Sequence, residues 1–339
     1  MTSSTSSSDP PREESRARAA LCWSLGLWLV VELVLAASLP THLGRHEVDD
    51  RVAAIEQVGT CPEVVLLSDS VTYGALDTIG WKSPEVLDLS TNQAIGVPGN
   101  VFLLRRLGAR LDSRKRYPEV QRVVYVVRPT SLSHDPSRGR FVDSYFTSVF
   151  NRPREVRSMR LEFEDSELAD AMESAADAQR FEPPSLRRRG HLLRPLSLWL
   201  RSLGQELDSG APLPPLTASA REQLAQESAW TEPRFSEATR RGLPLLAAEA
   251  RALGAELEIR FAPVAPSLAA AWSENGYGSA VVEELRSLLG DSARVYARPL
   301  YEARADEVFS DGSHLAIDPR REYAEELAGY LTELAGKAD

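Results

Sequence analysis

Two short segments near opposite ends of the chain carry the residue types of nucleophilic catalysis. Leu66-Leu67-Ser68-Asp69-Ser70-Val71-Thr72-Tyr73-Gly74 reads as an apolar strand ending in a polar turn, which lifts the Ser70 hydroxyl to the edge of a sheet. Phe309-Ser310-Asp311-Gly312-Ser313-His314-Leu315 sets Asp311 three residues before His314. A serine hydroxyl is a poor nucleophile until an imidazole accepts its proton, and the imidazole works best when a carboxylate fixes its tautomer. An Asp and a His three apart on one turn face the same side, so Asp311 is expected to accept from one ring nitrogen of His314 while the other meets Ser70. Each segment alone has a plainer reading, because Ser and Asp after a strand also serve as turn and helix caps.

Taken jointly, in the order Ser, Asp, His and with the second segment just ahead of the C-terminal helix, the pair resembles the first and last blocks of the SGNH (GDSL-type) hydrolases. The resemblance runs from Glu63 to about Gly329 and thins between the two ends. Ser90-Thr91-Asn92-Gln93-Ala94-Ile95-Gly96-Val97-Pro98-Gly99-Asn100 looks like the family's second block, whose glycine N–H lines the oxyanion hole. This implies Gly99 in that role, with the Ser70 N–H as second donor. The same residues also read as a plain Pro-Gly turn opening a helix at Val101.

The third block departs from the family. The strand Arg122–Val127 runs into Arg128-Pro129-Thr130-Ser131-Leu132-Ser133-His134-Asp135, without the asparagine that donates to the oxyanion in typical members. Removing one such donor costs about a hundred- to a thousandfold in rate, so Asn100, Arg128 or Thr130 replaces it, or the protein is slow or inactive. Divergence of this kind resembles the membrane-anchored SGNH proteins of polysaccharide O-acetylation, such as the alginate O-acetyltransferase-like group. That resemblance implies an acyl donor, a glycan or other hydroxyl acceptor and a polytopic membrane O-acyltransferase as partner, with no cofactor.

The elements that must position these residues alternate in the doubly wound manner. Strands are expected at Val64–Leu67, Glu85–Leu89, Arg122–Val127, Glu256–Phe261 and near Arg294–Ala297. Helices are expected at Val101–Leu111, about Glu237–Leu253, about Ala280–Leu289 and Arg320–Leu334. Such alternation implies an α/β fold with a mostly parallel sheet flanked by helices, and the resemblance makes it SGNH-like, of flavodoxin type. Ligands in such sheets bind at the carboxyl ends of the strands, and Ser70, Gly99, Arg128 and His314 all follow expected strand ends.

The N-terminus carries a separate signal. After a Ser- and Arg-bearing tail, residues 1–18, the apolar run Ala19–Leu39 spans about 30 Å as a helix, enough to cross a bilayer core. Arg12, Arg16 and Arg18 precede the run and Arg45 alone soon follows it, which favours a cytoplasmic N-terminus and an extracytoplasmic, periplasmic domain. Ala36-Ala37-Ser38 also reads as a cleavage site, which would release the protein instead. Residues 40–62 read as a tether holding one helix around Val48–Gln57. The catalytic domain then occupies 63–339.

Within that domain the alternation fails over about 151–230, a Pro- and Arg-rich insertion. Its Arg187, Arg188, Arg189, Arg194 and Arg201 surround Leu and Trp residues, a pattern that suits an anionic membrane, an acidic glycan or a solvated helix face. Tyr145 and Phe146 are expected either in the acceptor cleft or in the core.

With 339 residues, 43% hydrophobic and 26% charged, the chain can bury one substantial domain. A net charge of −10 supplies no basic field for nucleic acid. Cys22 and Cys61 neither staple a fold of this size nor match a zinc site. The leading functional expectation is serine-dependent acyl transfer to a glycan hydroxyl. The alternatives are an esterase or deacetylase using the same acyl-enzyme, and a catalytically silent anchored subunit that binds glycan.

Overall fold

Runs of Val and Leu too apolar on both faces to border water form the centre of the molecule. In the computed structural model, which describes residues 22–30, 47–112, 120–136, 162, 169–170, 216–310 and 313–336, β1 (Val64–Ser68) is buried at every position. β3 (Arg122–Val127) is buried at every position after its first. Two-sided burial is the mark of a parallel sheet covered by helices. With β2 (Val86–Asp88), β4 (Glu256–Phe261) and β5 (Ala293–Pro299) these strands form a five-stranded parallel sheet ordered β2-β1-β3-β4-β5. The register pairs Leu66 with Val124 and Tyr125 with Ile259. Strand order reverses direction between β1 and β3, the point at which α/β sheets open a crevice at their carboxyl ends.

Helices cover the sheet. α1 (Glu47–Gln57) precedes β1, the short α2 (Ala75–Thr78) follows it, and α3 (Gly96–Asp112) follows β2. α4 (Ala218–Ser228), α5 (Glu237–Ala252), α6 (Pro266–Glu274), α7 (Tyr277–Leu289) and α8 (Ile317–Ala335) complete the set. α5 packs on α3, on β4 and on α7, while α8 packs against α2, β1 and β2. The α3–α5 contact is close because Gly242 lies over Val97: a Cβ there would stand 2.9 Å from Val97 Cγ1.

Strands β3 and β4 have the bounds their sequence predicts, and several other elements differ from expectation for identifiable reasons. α3 starts at Gly96 rather than Val101, because Pro98 falls in its first turn, where a missing N–H costs nothing and a fixed φ helps. The Pro-Gly pair therefore opens the helix from within. Within the expected tether 40–62, the expected helix is present as α1, and it docks on α3 and buries Val48 and Ile55. Arg51 secures it, pairing with Asp88 at 3.1 Å and donating to the Ser90 carbonyl at 2.8 Å. The end of the expected insertion is also ordinary helix: Thr217 caps α4 by accepting from the Ala220 N–H at 3.1 Å. Helix α6 was not among the predicted elements, and it begins with Pro266 in its first turn.

Residues 22–30 are helical, with Trp23 and Trp28 exposed. Among the described residues no helix is long and apolar enough to cross a membrane. The rest of the expected span, 19–21 and 31–39, lies outside the described residues, as do Tyr145, Phe146 and the Arg187–Arg201 cluster.

The tight α3–α5 seam makes a direct prediction. Gly242→Val should lower unfolding free energy by about 1–3 kcal/mol through overpacking against Val97. Urea denaturation reads the loss, and an unchanged midpoint would contradict the packing described.

Candidate active site

The turn after β1 is built around one buried carboxylate. Asp69 accepts from the Val71 N–H at 3.0 Å through Oδ1 and from the Arg128 N–H at 2.7 Å through Oδ2. Its own N–H donates to the Val126 carbonyl at 3.3 Å, and its carbonyl accepts from the Tyr73 N–H at 3.0 Å. Every one of these bonds ties the end of β1 to its own turn or to the end of β3. The chain is thereby forced into a tight bend with half-buried Ser70 at its tip, and Gly74, at φ 70, takes the left-handed conformation that leads into α2.

The C-terminal segment forms a second tight loop. Ala316 N–H donates to Val308 O at 2.8 Å, Phe309 and Leu315 form an antiparallel bridge, and the Ser310 N–H and hydroxyl both donate to the His314 carbonyl at 2.7 and 3.0 Å. Phe309 and Leu315 are buried in the core, and of the described residues between them Ser310 is exposed while Ser313 and His314 are half-buried. Just beyond, on α8, Tyr323 shares a buried hydrogen bond with the Thr72 hydroxyl at 2.8 Å. Burial raises the Tyr323 phenol, which stays neutral and can serve that bond across the physiological range. Through this contact α8 is locked to the Ser70 turn.

Ser70 and His314, from opposite ends of the chain, line one cavity of about 560 Å³. Its wall continues through Val71, Gln93, Arg128, Thr130, Ser131, Ser133, His134 and Asp135, then through Gln223, Glu227, Trp230 and Ser313. Among the described residues of that lining only Val71 and Trp230 are apolar. The cavity is far larger than an acetyl group and is furnished with hydroxyl, amide and charged groups, which suits a polyhydroxylated ligand with an aromatic face beside it. Tyr277 backs the Trp230 edge, with ring centroids 5.9 Å apart, and burial, aided by the Glu227 charge, raises its phenol.

Of the residues singled out from sequence, Ser70, His314, Arg128 and Thr130 meet at this cavity. Asp311 lies outside the described residues. Gly99 and Asn100 lie buried in the first two turns of α3 and are not among the described residues that line the cavity. The glycine is required there by packing, since a Cβ at 99 would stand 2.5 Å from the Ile95 Cβ. Asn100 donates through Nδ2 to the Gly96 carbonyl at 3.1 Å.

Arg128 is used differently from a bare oxyanion donor. Its Nη1 donates to Ser313 Oγ at 2.5 Å and its Nη2 to Glu227 Oε2 at 2.5 Å, with only 4% of the residue exposed. Gln223 Nε2 donates both to Glu227 Oε1 at 3.0 Å and to Ser313 Oγ at 2.9 Å. Sequence reasoning passed over Gln223, Glu227, Trp230 and Ser313. The first three sit at the end of the stretch taken for an insertion, and the only available signal was the regular helical spacing of 217–228. His134 and Asp135 were quoted only as the place of a missing asparagine. Among the described residues no group of three or more His, Cys, Asp or Glu could hold a metal ion.

Comparison with protein-family models, with curated proteins and with solved structures gives no match.

If Asp69 holds the Ser70 turn, Asp69→Ala should cost on the order of 3 kcal/mol, because two buried N–H donors lose a charged acceptor. Asp69→Asn, which keeps one accepting oxygen, should lose less. Equal, small losses in chemical denaturation would show that the turn does not depend on this carboxylate.

Proposed function

We propose that this chain is a serine-dependent acyltransferase of SGNH type that moves an acetyl or similar acyl group onto a hydroxyl of a glycan. The observation that carries the reading is the meeting of Ser70 and His314 in one polar cavity at the carboxyl end of a parallel sheet. The strand order β2-β1-β3-β4-β5, which is that of flavodoxin-type proteins, supports it further. In this reading His314 takes the Ser70 proton as the hydroxyl attacks the donor's acyl carbon, and Asp311 orients the imidazole. The donor's leaving group departs with the proton that His314 returns, and the acyl group rests on Ser70 until an acceptor hydroxyl, deprotonated by His314, attacks the acyl carbon and releases Ser70, which takes that proton back.

The oxyanion is held by the Ser70 N–H together with a group at the mouth of β3. Of the candidates there, Thr130 lines the cavity with a hydroxyl able to donate. Glycan as acceptor is supported by the hydroxyl- and amide-rich wall and by Trp230, whose ring offers a surface for the apolar face of a sugar. The run Ala19–Leu39 supports an N-terminal anchor that keeps the domain on the outer face of the membrane, beside a polytopic acyltransferase delivering the donor.

A second reading, an anchored glycan-binding subunit without turnover, draws on the Arg128 guanidinium being committed to Ser313 and Glu227 and on the missing third-block asparagine. An esterase would use the same acyl-enzyme with water as acceptor.

Incubation with an activated acetyl ester, with and without an oligosaccharide, separates the three readings. Acetylated sugar, detected by mass spectrometry and lost in Ser70→Ala, is the expected result, since removing such a nucleophile commonly costs about a millionfold. Rapid ester hydrolysis without sugar product means an esterase. Equal inertness of wild type and Ser70→Ala, with the membrane partner supplied, leaves the binding subunit. For the anchor, the full chain is expected to stay with membranes through a carbonate wash, and a mature N-terminus near Leu39 would contradict it.

A further inference from the structure

We infer that Glu227 is a positioning residue which, through Arg128 and Gln223, holds Ser313 and the adjacent His314 in register with the Ser70 turn. The inference deepens the acyl-transfer reading and rests on Ser70 and His314 acting as nucleophile and base.

Four side chains close a ring. Glu227 accepts from Arg128 Nη2 at 2.5 Å and from Gln223 Nε2 at 3.0 Å. The same two residues converge on Ser313 Oγ, from Arg128 Nη1 at 2.5 Å and from Gln223 Nε2 at 2.9 Å. Both hydrogens of the Gln223 amide are thus used, one on the carboxylate and one on the serine. The Ser313 hydroxyl is fixed by donors approaching from two elements, β3's end and α4.

The ring connects to the nucleophile through the Asp69 carboxylate, which takes backbone N–H groups from both sides. Arg128 N–H binds Asp69 Oδ2 at 2.7 Å, and Asp69 Oδ1 binds the Val71 N–H at 3.0 Å, so the residues on either side of Ser70 are held by the same arginine that holds the residue before His314. Glu227 is itself immobilised: its carbonyl accepts from Trp272 Nε1 at 2.9 Å, and Asn275 Nδ2 donates to the carbonyls of Ser228 and Trp230 at 2.9 Å each. A carboxylate so fixed dictates where the planar guanidinium fork points. Misplacing a base by about 1 Å costs on the order of a hundredfold in rate, which gives the brace its consequence.

Electrostatics distinguishes this role from simple stabilisation. With Glu227 neutralised, the Arg128 guanidinium loses its carboxylate partner, and the positive charge it then carries in the cavity it shares with His314 disfavours the imidazolium. His314 must be neutral to act as base, so the acid limb of the pH–rate profile should move to lower pH. Besides Arg128 and Glu227, the titratable groups lining that cavity among the described residues are His134 and Asp135, Asp69 sits behind Arg128 as acceptor of its N–H, and all three remain in every variant.

The test uses the full chain. In Glu227→Gln we expect kcat for an activated acetyl ester to fall about ten- to a hundredfold with little change in KM. The acid limb should move down by about half a unit or more. The His314 ring, assigned by comparison with His314→Gln and titrated by NMR, should shift in the same direction. The double variant Arg128→Met/Glu227→Leu removes both charges and should recover thermal stability, as buried pairs replaced by apolar side chains commonly do, while kcat stays low. Recovery of both stability and kcat would mean that the pair only supports folding and would overturn the inference. A Glu227→Gln variant with wild-type kcat and an unshifted His314 titration would overturn it as well. The NMR titration needs no turnover, so a wild type that fails to process esters would count against Ser70 as nucleophile while the titration still decides the role of Glu227.

Discussion

One arginine at the end of β3 joins the two halves of the site. The Arg128 backbone N–H holds Asp69 in the turn that presents Ser70, and its guanidinium holds Ser313 in the loop that presents His314. A guanidinium buried to this depth requires a carboxylate close by. Glu227 supplies the charge, and this requirement places α4 against the mouth of the sheet. The cavity wall formed by Gln223, Glu227 and Trp230 follows from that constraint.

The sheet explains why the arginine can reach both loops. β1 and β3 are adjacent and parallel, so the residues that follow them leave the same edge side by side, at the point where strand order reverses. The C-terminal loop arrives at that edge for a different reason. Phe309 and Leu315 insert into the core as a bridged pair, and α8, which begins immediately afterwards, bonds back to the Ser70 turn through Tyr323 and Thr72. Two apolar anchors and one buried hydroxyl pair thus bring together segments separated by most of the chain.

Much of this was legible in the residues. The strands β3 and β4 stand out as short apolar runs between polar turns, and the two catalytic-type motifs announce a serine and a histidine at element ends. The start of α3 was not legible, because Pro98-Gly99 suits both a turn and the first turn of a helix, and only packing against Ile95 and α5 decides between them. Helix α1 was legible as a helix, but its docking was not, because its segment is polar and acidic and only Val48, Val52 and Ile55, with Val58 just beyond, make a narrow apolar stripe that packs on the core. Glu227 carried no signal at all. It is an ordinary acid on a polar helix, and its meaning comes from a partner nearly a hundred residues earlier.

The same geometry shapes how the missing third-block asparagine is to be understood. Arg128 occupies the first position after β3 and spends its guanidinium on Ser313 and Glu227, so in the proposed reading Thr130 is the side chain of this strand end that would face a developing oxyanion. Under the proposed acyl transfer, such a site would trade donor strength for rigidity, and a weaker oxyanion hole would suit slow transfer to a positioned hydroxyl better than rapid hydrolysis. All of this depends on Ser70 being activated by His314. Covalent labelling tests that most directly: a fluorophosphonate should modify Ser70, as located by peptide mass spectrometry, and His314→Ala should abolish the adduct. Labelling elsewhere with Ser70 untouched, or an adduct on Ser70 that forms equally fast without His314, would contradict the account.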